Sequence, residues 1–394
     1  MIEALHNPDA RAAKAVAQPL GRSPLSFHRR MAHYQETPLV DAADLAERLS
    51  LGKLWIKDES SRLGLPAFKM LGASWAVYRA LAARLDADLE PWRDVSELAD
   101  KVARLKPLTL AAATDGNHGR AVARTAALLG LDAHILVPGD MAPARIRAIE
   151  GEGATVTVVD GTYDDAVARS AEQAGETCLV VSDMSWPGYE EVPRWVIEGY
   201  STIFYELDRQ LADRGEKVPD LVAVQIGVGA LAASVVTHFR RSDSKARPSV
   251  LGVEPARAAC ALASMKAGGV VSIPGPHDSI MSGLNCGRPS LVAWPLISSG
   301  IDAFVAVEDQ LAAEAMRQLA SIGVVAGETG AAGLAGLIGL LGDDAAAELR
   351  SKLGLHGGTS ALILVTEGAT DPKAYEKAVG RSPQSVRATG MEPT

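Results

Sequence analysis

The sequence predicts an α/β fold built on parallel β-sheet, and three observations carry that expectation. Apolar runs of strand length alternate with helix-patterned segments along most of the chain. Several of those runs end in glycine-bearing turns that open a helix, the usual place for ligand loops in such sheets. Hydrophobic residues make up 47% of the chain and glycines number 37, but aromatic residues reach only 5%, which suits closely packed helices and strands. With 394 residues there is room for two lobes, each with its own core.

Taken in order, residues 1–35 read as a polar leader with some helix. Lys53–Asp58 is a short strand running into a polar turn, and a helical pattern with one apolar face runs from Ala73 to Leu85. The charged stretch from Asp86 to Lys106 holds a second helix and a passage between lobes. Leu108–Ala113 is a strand, followed by Thr114-Asp115-Gly116-Asn117-His118-Gly119 and a helix from Arg120 to Leu129. His134–Pro138 is a buried strand, then come a helix to about Glu150, a strand at Thr155–Val159 and another at Leu179–Asp183. After a helix over Gly199–Arg214, Leu221–Ile226 is a fully buried strand that ends in Gly227-Val228-Gly229-Ala230 and a small-residue helix. Val250–Glu254 and Leu362–Gly368 complete the strands. The tail beyond about Val379, rich in Ser, Arg, Thr and Pro, is expected to be loosely held.

Charge and composition exclude several classes. A formal charge of -9 argues against nucleic acid as a partner, since phosphate binding needs a basic face. No apolar run approaches membrane-spanning length, and the N-terminal segment has no signal-peptide core, so the expectation is a cytoplasmic protein without membrane contact. Cys178, Cys260 and Cys286 are spaced neither as a zinc site nor as a redox pair, and no metal is expected. They read as core or surface thiols, with a Cys260–Cys286 bridge as the minority alternative in a reducing compartment.

Four stretches carry chemistry. Lys69 follows Pro66 and Phe68 and opens an apolar helical run; an ammonium stripped of hydration loses pKa and becomes an amine nucleophile, the chemistry of a Schiff-base lysine. The bland alternative is a helix-start lysine that snorkels to water. Gly227 to Leu231 sit between a buried strand and a helix, where glycines admit an anion to free N–H groups. That loop lacks the Lys-Ser/Thr of a P-loop, and Ala232 breaks the dinucleotide fingerprint; a plain turn closing helix on sheet is the alternative. Asp115, Asn117 and His118 lie at a strand's carboxyl end, where Asn117 suits a ring substituent and Asp115 a proton transfer; for His118 a turn with an Asx cap is favoured. Thr366 ends the last strand, where a hydroxyl suits a ring nitrogen, or is only a strand residue.

Together and in this order, these stretches resemble the fold type II, tryptophan-synthase-β-like, pyridoxal 5′-phosphate enzymes from Thr37 to Asp371. Within that superfamily the chain is most similar to the diaminopropionate ammonia-lyase family. The similarity lies in FKMLGAS (68–74), ATDGNHGRAVA (113–123), TYDDAV (162–167), SDMSWPGYEEVPRWVIEGY (182–200), GVGALA (227–232), IMSGLNCGRPS (280–290), AGETGAAGL (326–334) and TEGATD (366–371).

The resemblance implies two open, twisted, largely parallel sheets flanked by helices. A large domain would comprise 1–73 and 188–394, and a small one 74–187, with the active site between them. Lys69 would bind the cofactor covalently, Asn117 its phenolic oxygen, the backbone of Gly227, Val228, Gly229, Ala230 and Leu231 its phosphate, and Thr366 its ring nitrogen. The implied reaction is α,β-elimination of 2,3-diaminopropionate to pyruvate and two ammonia, through an external aldimine and aminoacrylate, by a cytoplasmic homodimer. Lys69 would be a base, and Asp115 and Asp183 the candidate acids for the leaving amine, with Asp115 also a second base that admits the D-isomer. Asp183 as a strand-end cap is an even alternative.

The family block GLACGEP reads Gly283-Leu284-Asn285-Cys286-Gly287-Arg288-Pro289 here, and the Ser of GESG is Thr329. Asn285 and Arg288 would bear on substrate choice if they lined the pocket, although Arg288 reads more simply as a surface residue. Rival readings are a serine, threonine or 3-hydroxyaspartate dehydratase, a β-replacing synthase, and a non-catalytic amino-acid binder.

Overall fold

The structure is a computed structural model, and it describes residues 2–10, 21–241 and 246–389. In chain order the strands are β1 (Glu3–His6), β2 (Leu39–Asp41), β3 (Lys53–Asp58), β4 (Thr109–Ala113), β5 (Asp132–Pro138), β6 (Thr155–Val159), β7 (Cys178–Val180), β8 (Leu221–Gln225), β9 (Ser249–Pro255), β10 (Ala303–Val307) and β11 (Ser360–Val365). They form two sheets. One has seven strands in the order β1-β10-β9-β8-β11-β3-β2, and the other has four in the order β6-β5-β4-β7. The smaller sheet is parallel throughout; the larger is parallel except for its two edge strands, β1 and β2. The parallel pairing is what the alternating pattern predicts, and the division into two sheets is what the family resemblance implies.

Buried apolar runs explain the parallel core. Every residue of β8, β9 and β10 is buried, which requires helices on both faces. Helix Ala332–Gly342 covers one face with Leu334, Leu337 and Leu340, while Ala230–Phe239 covers the other with Val235, Val236 and Phe239. Parallel strands place all their carboxyl ends on one edge, so the loops after β3, β8 and β11 gather there, as do those after β4 and β7 in the smaller sheet.

The structure corrects three expectations. The polar leader has its expected helix, at Ser23–His28, but also strand β1, paired antiparallel to β10 with Glu3 opposite Ala306; residues 11–20 lie outside the described set. The tail is not loosely held as far as Thr389. Asp371 accepts from Lys373 N and Ala374 N at 3.0 and 3.2 Å to cap the helix Pro372–Val379, Tyr375 and Val386 enter the core, and a further helix spans Pro383–Thr389. Strands β2 and β10 escaped the pattern because one is three residues long and the other is a short apolar run with no helix-opening glycine turn after it. Among the described residues, no helix is long and apolar enough to cross a membrane.

Candidate active site

The lysine is held by its neighbours before it does anything. Between β3 and Lys69 the chain crosses a buried ionic cluster. The Arg62 guanidinium donates to Glu59 at 2.6 and 2.8 Å and to Glu206 at 2.7 Å, and Lys57 donates to Glu206 at 3.0 Å. Further along, Phe68 N donates to Thr366 O at 3.1 Å and Gly368 N to Pro66 O at 3.0 Å, tying this loop to the end of β11. Lys69 then opens the helix Lys69–Leu85, which packs backbone to backbone on the helix Glu191–Gly199. A Cβ on Gly199 would stand 2.4 Å from Leu71 O, so only glycine permits that approach.

The floor is the loop after β8. Gly229 has φ 96°, the left-handed region, and it caps the helix Ala230–Phe239 with no side-chain hydrogen bond. The first N–H groups of that helix have no intrahelical partner and point into the cleft end of the sheet. Beside it, Gln225 Nε2 donates to Thr366 Oγ1 at 2.8 Å while also facing the carbonyls of Thr329 and Leu364 at 3.1 Å. Those carbonyls fix the amide orientation, so Thr366 must accept from Gln225 and its own proton is left to donate elsewhere.

The opposite wall comes from the smaller sheet. Thr114 Oγ1 accepts from Gly116 N and Gly119 N, both at 2.9 Å, so Thr114, rather than an Asx residue, holds the turn that enters the helix Asn117–Leu129, whose cap position is Gly116. His118 is buried with Nε2 2.8 Å from Val181 O, an anchoring role. Asn117 Nδ2 donates to Glu367, whose Oε1 also faces Thr329 N at 3.3 Å. Asp183, in the loop after β7, accepts from Lys69 Nζ at 2.6 Å and from the Tyr163 hydroxyl at 3.2 Å.

These distances set the protonation states. Burial alone would depress Lys69, but the Asp183 carboxylate, then Tyr200 and Asp115, hold it well above the usual ammonium range. The depressed lysine expected from its apolar surroundings is therefore not what the structure has, because its partner is charged. Asp183 in turn is pulled below the ordinary carboxylate range: burial opposes this, and Lys69 and His118 overcome it. Asp115 goes the other way, raised by burial more than Lys69 and Arg145 lower it. Glu367 is likewise raised by burial. Two nearby carboxyls shifted in opposite directions are the pattern of an acid beside a fixed anion.

Lys69, Asp115, Asn117, Asp183, Gly227 to Leu231 and Thr366 all line one cleft. Tyr163, Gln225, Gly283, Cys286, Thr329 and Glu367 line it too, and no role was expected for them. All of these but Gln225 lie inside stretches of family resemblance, but only the folded geometry shows which side chains of such stretches turn inward. Asp115 and Tyr163 also border an outer chamber that includes Asn285, Arg145 and Glu328. Arg288 lies instead in a separate cavity with Asp164 and Trp186. All three cysteines are free thiols, Cys260 and Cys286 buried and Cys178 half-buried. Among the described residues no cluster of metal-ligating side chains occurs.

A phosphorylated heteroaromatic suits this donor set. The helix start without a side-chain cap suits an anion, Thr366 has a hydrogen to offer a ring nitrogen, and Asn117 and Lys69 line the same cleft. Residues 31–367 match the family described as pyridoxal-phosphate dependent enzyme. The diaminopropionate ammonia-lyase of Salmonella typhimurium strain LT2 is 37% identical over 379 residues, which cover 92% of this chain and 93% of that protein. Among solved structures, Escherichia coli diaminopropionate ammonia lyase in complex with D-serine superposes with a TM-score of 0.87 at 33% identity, covering 96% of this chain and 97% of that one. The same enzyme in complex with an aminoacrylate-PLP azomethine reaction intermediate gives 0.84 at 33% identity and the same coverage.

Proposed function

The chain belongs to the family of pyridoxal-phosphate dependent enzymes, and among them to the diaminopropionate ammonia-lyases, and we propose that it eliminates ammonia from 2,3-diaminopropionate to yield pyruvate and a second ammonia. The observation that carries this reading is the meeting of Lys69, Asp115 and Asp183 in one cleft with the Gly227–Leu231 loop. Pyridoxal phosphate, when bound, supplies an aldehyde that condenses with amines and a ring that accepts electrons from Cα.

The chain's own residues supply the rest. Lys69 would hold the cofactor and, as a free amine, would take the α-proton; Asn117 and Thr366 would orient the ring, and the Gly227–Leu231 backbone would hold its phosphate. An amine leaves Cβ only when protonated, and Asp115, whose carboxyl burial keeps towards its protonated form, is the acid placed for that task. Asp183 stays ionised and serves Lys69 as counter-ion. When Asp115 is ionised it becomes a base facing the substrate from the other wall, which admits the D-isomer. Residues 74–187 act as a small domain against 1–73 and 188–394, in keeping with the separate sheet β4–β7. A cytoplasmic homodimer is the family-based part of the same reading.

A pyruvate assay across D- and L-amino acids with leaving groups at Cβ tests it. Diaminopropionate should be turned over well ahead of serine, threonine and hydroxyaspartate. Preference for a hydroxy amino acid would instead make the chain a dehydratase.

A further inference from the structure

The outer chamber meets the cleft at Asp115 and Tyr163, which line both, and it has no part in the chemistry above. Its lining is acidic: Asp115, Asp140, Asp278, Glu328 and Asp371 face Arg145 and His277. Acidity alone makes no site, because most of these carboxyls are solvated or already answered. Asp140 and Asp278 are exposed, Asp278 also pairs with Arg257 at 2.8 Å, and Asp371 caps a helix through its Oδ1.

Glu328 is different. It is only 5% exposed, yet it lines the chamber. Among the described residues its carboxyl forms no ion pair, and the hydrogen bond it accepts comes from its own backbone N–H. Two charges act on it: Arg145 favours the carboxylate and Asp371 opposes it. A buried carboxyl without a partner costs stability, and such groups persist where function uses them. Arg145 supplies the opposite sign. Its Nη1 donates to Ser282 Oγ and lies 3.5 Å from Asp115 O, which holds the guanidinium beside the passage to the cleft, while its Nε is buried with no partner.

The chamber thus offers an unanswered acceptor and an unanswered donor next to Asp115. An amino acid with a second amine meets both, with a carboxylate for the donor and an ammonium for the acceptor. Serine and threonine are neutral zwitterions, whereas 2,3-diaminopropionate with both amines protonated is a net cation. Acidic walls of low dielectric concentrate such a cation over a neutral competitor. We infer that the chamber is an entry site for diamino acids, in which Glu328 receives the second ammonium and Arg145 the carboxylate before the substrate passes Asp115. This assignment rests on the substrate proposed above and deepens it.

Glu328→Gln in the full-length chain keeps the side chain's shape and removes its charge. With the second amine protonated, kcat/KM for diaminopropionate should fall about fivefold through KM, the loss of one partly screened charged contact, while that for serine holds. Added sodium chloride should lower kcat/KM for diaminopropionate in the parent, less so in the variant, and leave serine unaffected. Asp140→Asn, at an exposed position, should also flatten that salt dependence; if Glu328→Gln does not fold, an unchanged slope in Asp140→Asn overturns the assignment. Equilibrium dialysis gives a readout apart from turnover. In borohydride-reduced holoenzyme, whose Lys69 no longer exchanges with amines, the parent should bind diaminopropionate about fivefold more tightly than Glu328→Gln does. Equal binding, or an equal loss with serine, would make Glu328 a structural carboxyl only. Displacement by ammonium chloride beyond that by sodium chloride would make the chamber an outlet for released ammonium instead of an entry site. If the parent makes no pyruvate from diaminopropionate, the proposed reaction fails, while the dialysis still decides what the chamber binds.

Discussion

Lys69 and Asp183 bond at 2.6 Å, and that contact helps hold Asp183 below the ordinary carboxylate range while burial pushes its neighbour Asp115 up. A carboxylate already neutralised by an ammonium cannot easily act as the acid for a leaving amine, so the burden falls on Asp115. Asp115→Asn should therefore suppress turnover of D-diaminopropionate by at least about tenfold more than that of the L-isomer, because only the D-isomer needs a base on that wall. Equal losses on both isomers, measured as initial rates of pyruvate release, would remove the two-base idea. Lys69, Asp115, Asn117 and Thr366 were legible in the sequence because each stands in a short motif at a strand end or helix start. Gln225 was not: its part is to orient Thr366, and that link spans 141 residues of chain.

At the level of elements, the site depends on how closely the helix Lys69–Leu85 approaches Glu191–Gly199. Gly199→Ala would place a methyl 2.4 Å from a backbone carbonyl of the lysine helix, and backbone cannot swing aside as a side chain can. The variant should lose about 1–3 kcal/mol in denaturant unfolding and, because Lys69 moves with its helix, should also lose pyruvate formation. Normal activity with a lowered stability would show that the lysine is held by its loop alone. The strands that periodicity found, β3 and β6 among them, are long enough to show alternation or a closed apolar run. Strand β1 was hidden because its residues are exposed or half-buried, and its place is fixed by pairing with β10, some 300 residues on, rather than by local pattern.

Across the whole molecule, the buried charges that brace the lysine loop make stability sensitive to acid. Burial, then Arg62, lowers the His28 imidazole to about 3, and Arg62 and Lys57 outweigh burial to lower Glu206 to about 2. Both groups bind protons more readily when unfolded. The His28 contribution is complete above its ordinary value of 6.5 and drains away as pH falls towards about 3, at about 1.4 kcal/mol per pH unit. Glu206 adds its own loss below 4.5. Denaturation midpoints should therefore drop between about pH 7 and about pH 5, before most carboxylates titrate; a flat profile there would contradict the assignment of His28. Arg62→Met, which strands Glu59 and Glu206 without their shared cation, should cost about 3–5 kcal/mol. The loop so braced carries Lys69, and the most direct measurement of the proposed reaction is the ratio of ammonia to pyruvate released from 2,3-diaminopropionate. Two ammonia should appear for each pyruvate, with both products lost in Lys69→Ala. Failure to release pyruvate from this substrate, or undiminished release by the Lys69 variant, would contradict it.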